Sequence, residues 1–381
     1  MQSKRVFISA CLGMLLFGIG LITLGSVAIG LQEKFHLDKI SSGTLFSILP
    51  LGILLGSLVF GPVCDRYGYK VFLVLSCFLM FIGFQGIAHA GTLGVLKICV
   101  FLFGFGGGAI NGATNAVVSD ISESHKAANL SLLGVFFALG ALGMPLLLGI
   151  LNKLYSFQSI LSGVSILPVL IGTFILLTKY PEAKHSGQMS VRHSIKLIKE
   201  PLLLLIGFFL FCQSSFEGVI NNWTTLYLSQ QWLATESNAL YGLSLFVVGM
   251  AVIRLLLGSV FRTTSSARIM TVSFIMLGIG CLIILLAGSF AHAVIGLVVC
   301  GGGLAAGFPV MLAILGGRYA QLSGTAFGLV LTIALFGNMM MNYGMGWIAE
   351  VFGMQYYPAV LFALFTLMAV LSYGVFKKSN I

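Results

Sequence analysis

The sequence is short of charge, and of acid most of all. Of 381 residues only 8% are charged, with 10 Asp and Glu against 20 Lys and Arg, where an average soluble domain carries roughly a quarter. So few charges cannot clothe a water-facing surface, which excludes an ordinary soluble enzyme or binding domain. Histidine is scarce at six, and the seven cysteines are scattered through apolar runs with no C-x-x-C or Cys/His ligand spacing. That excludes a disulfide framework and a zinc site, and no metal or organic cofactor is expected. Paired catalytic groups and phosphate loops are missing too, so the chain is not expected to be an enzyme. The net charge of +10 could suit a nucleic acid. The cations fall in short connections between apolar runs, however, without aromatic interleaving, and no nucleic-acid partner is expected.

What is present is hydrophobic: 58% of the residues, with a mean hydropathy of +1.07. Runs of about 20 apolar residues can cross a bilayer, and twelve can be counted, near 6–30, 41–63, 70–88, 94–118, 127–151, 158–178, 201–228, 237–260, 268–288, 293–316, 325–350 and 356–376. An even number puts both ends on one side. Most Lys and Arg fall in connections on that side, leaving Lys34, Lys39, Lys97 and Lys153 on the other. Basic loops stay inside, so both termini are expected in the cytoplasm and the chain in a bacterial-type inner membrane.

One long polar, basic connection, 179–200, divides the chain into 1–178 and 201–381. The 48 glycines imply close helix packing, and some of them repeat. Gly106-Gly107-Gly108 recurs at an offset of 195 as Gly301-Gly302-Gly303, with Gly149 and Gly344 at the same offset, while Gly52 and Gly61 recur at 197 as Gly249 and Gly258. The expected fold is therefore all-α, two pseudo-symmetric six-helix bundles with a polar site near mid-membrane, the pattern of a rocking transporter.

The polar site is sought in the seventh run, which contains Gln213-Ser-Ser-Phe-Glu217-Gly-Val-Ile-Asn221-Asn222-Trp223. Gln213, Glu217 and Asn221 stand at i, i+4 and i+8 and share one helix face. A carboxylate at mid-bilayer costs about 2.5–3.5 kcal/mol, so it faces a protein interior or a watery cavity. Amides recur in pairs: Asn111 and Asn115 in the fourth run, Asn338 and Asn342 in the eleventh. Amides both donate and accept without charge, which suits a neutral polyol; they can equally bond across helices to hold the bundle. Trp223 can stack on a sugar ring or stand in an interfacial belt, and the sequence leaves both open. Gln85 is a further polar group within a span. Arg254, inside the eighth run, can snorkel to the cytoplasmic surface or pair with Asp120.

Between the second and third runs, Gly61-Pro-Val-Cys-Asp65-Arg66-Tyr-Gly68-Tyr-Lys70 resembles the G-x-x-x-D-R-x-G-x-K signature of the major facilitator superfamily. Within it, Glu217-Gly218, Trp223 and Tyr227-Leu228 look like the seventh helix of the fucose-galactose-proton symporter family. Gly106 through Asn115 and Arg254-Leu-Leu-Leu-Gly258 agree. The resemblance implies a cytoplasmic clasp of Asp65, Arg66, Gly68 and Lys70, joined here by Arg254. It also implies uptake of a hexose or related sugar, with Glu217 as the proton-coupling group and the polar residues above as substrate contacts. The coupling ion would be H+, with Na+ as the variant, and the protein a monomer. The alternatives on the same architecture are an exporter of drugs or metabolites and an uncoupled sugar facilitator.

Overall fold

The computed structural model describes residues 2–122, 126–180, 200–259, 264–319 and 323–379. The connection expected at 179–200 lies almost wholly outside them, as does the Asp65 side chain. Among the described residues, twelve helical stretches are long and apolar enough to cross a membrane, and no strand occurs. Helix is what such a sequence must form in lipid, because each backbone group has to find its partner within the segment.

The helices are α1 Gln2–Ser26, α2 Ala28–Phe35, α3 Lys39–Tyr67, α4 Tyr69–His89, α5 Leu93–Ile121, α6 Lys126–Leu151, α7 Phe157–Val164 and α8 Ile166–Leu177. After the long connection come α9 Pro201–Trp232, α10 Glu236–Ser259, α11 Ser266–Leu285, α12 Phe290–Leu304, α13 Gly307–Arg318, α14 Ser323–Val351 and α15 Tyr357–Ser379. The sixth span is broken into α7 and α8, and the tenth into α12 and α13.

The chain forms two compact units, one of Met1–Leu37 with Leu45–Gly187, the other of Asp38–Thr44 with Gln188–Ile381. In the first, α1 packs on α5 and α6, and α4 on α5 and α8. In the second, α9 packs on α14 and α15, and α12 on α10 and α11. The second unit includes the first turns of α3, where the Lys39 N–H donates to Glu350 Oε2 at 2.9 Å.

Glycines set the helix contacts and give the register of the repeat. A methyl at Gly52 would strike the Phe101 carbonyl oxygen, and one at Gly104 the Leu49 oxygen. In the second unit a methyl at Gly249 would strike the Val298 oxygen, and one at Gly301 the Phe246 oxygen. Each of these four positions stands 197 residues from its counterpart, and so do Gly140 and Gly337, which meet the backbone of the first and seventh spans. The offset of 195 read from the Gly-Gly-Gly runs, and with it the pairing of Gly149 with Gly344, is therefore corrected. Three adjacent glycines slide past each other in sequence, whereas backbone contact fixes which one is which.

Candidate functional site

The seventh span, α9, begins with Pro201 at its first turn and runs 32 residues to Trp232, stopping where Leu233 takes a left-handed φ of 51°. Glu217 lies midway and is half-buried. Among the described residues nothing donates a hydrogen bond to its carboxylate. Arg254 of α10 is the cation whose field acts on it; that side chain is itself half-buried, with a buried Nε that has no hydrogen-bond partner. Helix α9 thus presents a carboxylate and α10 a guanidinium, both with bonding capacity to spare.

The neighbouring Gly218 has a steric purpose. A Cβ there would land on the Asn338 side-chain amide, so the glycine admits α14 to close range. Asn338 Nδ2 then donates to the Ser214 carbonyl at 3.0 Å, and Asn342 Nδ2 donates to Asn338 Oδ1 at 2.7 Å. Asn222 Nδ2 completes the series by donating to Asn342 Oδ1 at 3.0 Å. Asn342 is fully buried and Asn222 nearly so. These amides weld α9 to α14, each cross-helix bond being worth about 0.6–1.7 kcal/mol in a membrane. Asn221 is also buried. Trp223 is fully buried, which removes the lipid-facing belt as its location.

Gln213 serves a break in the tenth span. Pro309 has no N–H for the Ala305 carbonyl four residues back, and the helix stops at Leu304 and restarts at Gly307. Gln213 Nε2 donates to the carbonyl of Leu304, the last residue of α12, at 3.1 Å, while Oε1 lies against Gly307, where any Cβ would displace it. The Gln213 side chain is fully buried and Oε1 accepts no hydrogen bond. Irregular backbone at membrane depth survives only where protein or a cavity re-satisfies it, and here a side-chain amide does so. Discontinuous helices mark the sites of many transporters. The sequence signal for this one is Gly307-Phe308-Pro309 inside an apolar run.

The first unit holds its amides differently. Asn115 Nδ2 donates to the Asn111 carbonyl at 2.8 Å and to Asn111 Oδ1 at 3.0 Å, within unbroken α5. Both residues are half-buried, and among the described residues Asn111 Nδ2 and Asn115 Oδ1 make no bond. Gln85 stands apart from them, donating to Ser165 Oγ at 2.8 Å where the sixth span breaks. In the charged turn, Gly68 is the single residue between α3 and α4, with φ of 79°, a conformation that disfavours any side chain. Arg66 is exposed and lies over the Tyr67 ring, 5.3 Å from its centre, and Lys70 is half-buried. Asp120 accepts from Tyr69 Oη at 2.9 Å. Among the described residues, no three His, Cys, Asp or Glu gather closely enough to hold a metal ion.

Among characterised proteins, the glucose/mannose transporter GlcP of Bacillus subtilis is 27% identical, the match covering 95% of this chain and 91% of that one. The 4-hydroxybenzoate transporter PcaK of Pseudomonas putida is 27% identical over 54% of this chain and 47% of its own. Among solved structures, a D-xylose-proton symporter superposes with a TM-score of 0.80 at 15% identity, covering 97% of both chains. The Escherichia coli fucose:proton symporter FucP does so with a TM-score of 0.69 at 17% identity, covering 98% of this chain and 99% of that one. The sequence profile of the Major Facilitator Superfamily matches residues 10–262. Twelve apolar helices, repeated glycine contacts and that match make one conclusion: the chain is an integral, multi-pass membrane protein and belongs to the Major Facilitator Superfamily of transporters.

Proposed function

We propose that the protein takes up a monosaccharide, a hexose or related sugar, together with a proton, by alternating access. The observation that carries this reading is the Glu217 carboxylate, half-buried at mid-span with no hydrogen bond from the described protein. A protonated carboxyl donates and accepts, whereas an ionised one only accepts. A sugar hydroxyl bound at Glu217 is therefore held differently in the two states, which links proton and sugar occupancy. Asn111 and Asn115, half-buried with free amide atoms, supply the donors and acceptors that a polyol needs. Asn221 and Trp223 are the remaining contacts on the Glu217 helix. Asn222, Asn338, Asn342, Gln213 and Gln85 act by holding helices. Asp65, Arg66, Gly68 and Lys70 form the cytoplasmic clasp of the cycle. The protein works as a monomer in an inner membrane, with both termini in the cytoplasm and H+ rather than Na+ as coupling ion. The relative GlcP, a glucose/mannose transporter matched along 95% of this chain, supports the sugar.

A second reading rests on Arg254. A guanidinium at membrane depth beside Glu217 suits a carboxylate substrate, and the relative PcaK carries 4-hydroxybenzoate. Proteoliposomes under an imposed inward proton gradient separate the two. Glucose, mannose, xylose and fucose are offered beside 4-hydroxybenzoate, with and without a protonophore. Accumulation of a sugar that the protonophore abolishes supports the first reading. Accumulation of 4-hydroxybenzoate alone replaces it with the second, and sugar entry that only equilibrates makes the protein an uncoupled facilitator.

A further inference from the structure

Away from the polar site, the second unit carries a cavity of about 690 Å³ between α11 and α15. That lies within the roughly 300–1,000 Å³ of small-molecule sites. Its floor is aromatic. Phe365 packs against Phe274 and Phe362, with ring centres 6.2 and 5.8 Å apart. Gly278 makes the hollow: a Cβ there would stand 2.8 Å from Phe365 Cζ, so the ring sinks to the α11 backbone. Along the rim Ile279 and Tyr373 are exposed.

Exposed apolar side chains are ordinary on a helix that faces lipid. A concave channel between two helices is not, because a bilayer must send something into it or leave its walls without contacts. The polar side chains of the lining, Thr271, Ser372 and Tyr373, belong to the N-terminal half of α11 and the C-terminal half of α15. Helix α11 starts where α15 finishes, and Ala267 and Phe376 both line the cavity at that end. Beside them in sequence stand Arg268, Lys377 and Lys378, all exposed and none bonded to any described residue. The α11 N-terminus opens there as well, with Ser265 at the cap making no side-chain hydrogen bond, so its first N–H groups and helix dipole add to the positive field. An apolar trough flanked at one end by three exposed cations, none bonded to a described residue, and by a helix N-terminus is the complement of one molecule type, a hydrocarbon chain that ends in an anion.

We infer that the α11/α15 groove is a binding site for an anionic phospholipid, one acyl chain lying over the phenylalanine floor and the phosphate resting among Arg268, Lys377 and Lys378. The site is independent of the transported substrate. It gives the bilayer's anionic lipid a way to stabilise the second unit.

The test uses the purified, delipidated full-length protein and native mass spectrometry. Phosphatidylglycerol and phosphatidylcholine with the same acyl chains are added back, with glycerol 3-phosphate as a chainless arm. Each cation near an anionic headgroup contributes about fivefold in affinity. The wild type should therefore retain phosphatidylglycerol preferentially, and Arg268→Gln with Lys377→Gln and Lys378→Gln should erase the preference while leaving the fold intact, since all three are surface groups. Ala369→Phe, which fills the trough, should lower retention of both lipids. Equal retention of the two lipids by the wild type overturns the proposal. So does a preference that survives the triple substitution, and so does displacement of the lipid by glycerol 3-phosphate at equal concentration, which would mark a free-anion site instead.

Discussion

The two units use the same glycines at the same contacts, yet they place their polar groups on different helices. At the contact offset of 197, Asn111 and Asn115 of α5 correspond to Phe308 and Leu312, while Asn338 and Asn342 of α14 correspond to Ala141 and Pro145. In the first unit the amides sit on an unbroken helix, bond mainly within it, with one long contact from Asn115 Nδ2 to Met14 Sδ of α1 at 3.9 Å, and stay half-buried. In the second they join α9 to α14 in a buried series, beside a tenth span interrupted between Leu304 and Gly307. The lesson is that the repeat belongs to the scaffold alone. Backbone approach tolerates only glycine and recurs in both units, whereas polar chemistry follows the task of each.

The scaffold half of that comparison is broken most severely at the glycines. Gly104→Ala and Gly301→Ala each drive a methyl into a backbone carbonyl of the adjacent span, and overpacking of this kind costs about 1–3 kcal/mol or more. Both should lower the melting temperature by similar amounts in detergent. A large loss at one and none at the other would dissolve the repeat. The polar half is sharpened by the amides. Asn342→Leu strands the Asn222 donor and should cost about 1–2 kcal/mol, with little change in substrate affinity per folded molecule. Asn115→Leu should do the reverse, leaving the melting temperature almost unmoved and weakening substrate binding in equilibrium measurements.

The smallest effect is expected at the start of α3. Asp38 Oδ1 accepts from the Ser41 N–H at 2.6 Å, and the Ser41 side-chain and backbone hydrogen bonds hold the Asp38 carboxyl below its usual range. A depressed carboxyl stabilises the fold above its ordinary pKa, and that contribution disappears as pH falls through the lowered value. Asp38→Ala should therefore cost about 1 kcal/mol at neutral pH and nothing in strong acid, as read by thermal unfolding across pH.

Much of the fold was legible because lipid permits so few solutions. Twelve apolar runs correspond to twelve spans among the described residues, and the single residue between α3 and α4 is the Gly68 of the charged motif, with a positive φ. The register of the repeat was legible only approximately, since a Gly-Gly-Gly run aligns with itself at more than one offset while a carbonyl contact does not. Within the site, Glu217 stood out because a carboxylate at mid-span has few explanations. The assignments of the amides did not separate, because Asn338 on a helix interface and Asn111 on an open face look the same in sequence. What divides them is Gly218, whose missing Cβ lets Asn338 reach Ser214. What the sequence does not show about the break after Leu304 is its partner, because Gln213 lies 91 residues from the carbonyl it serves.

Coupling, as proposed, turns on the Glu217 carboxylate as the link between proton and substrate. Proteoliposomes containing Glu217→Gln, assayed for sugar counterflow and for accumulation under a proton gradient, test it most directly. Counterflow should persist, with accumulation and sugar-driven proton entry both lost. Accumulation that survives in the variant would contradict it.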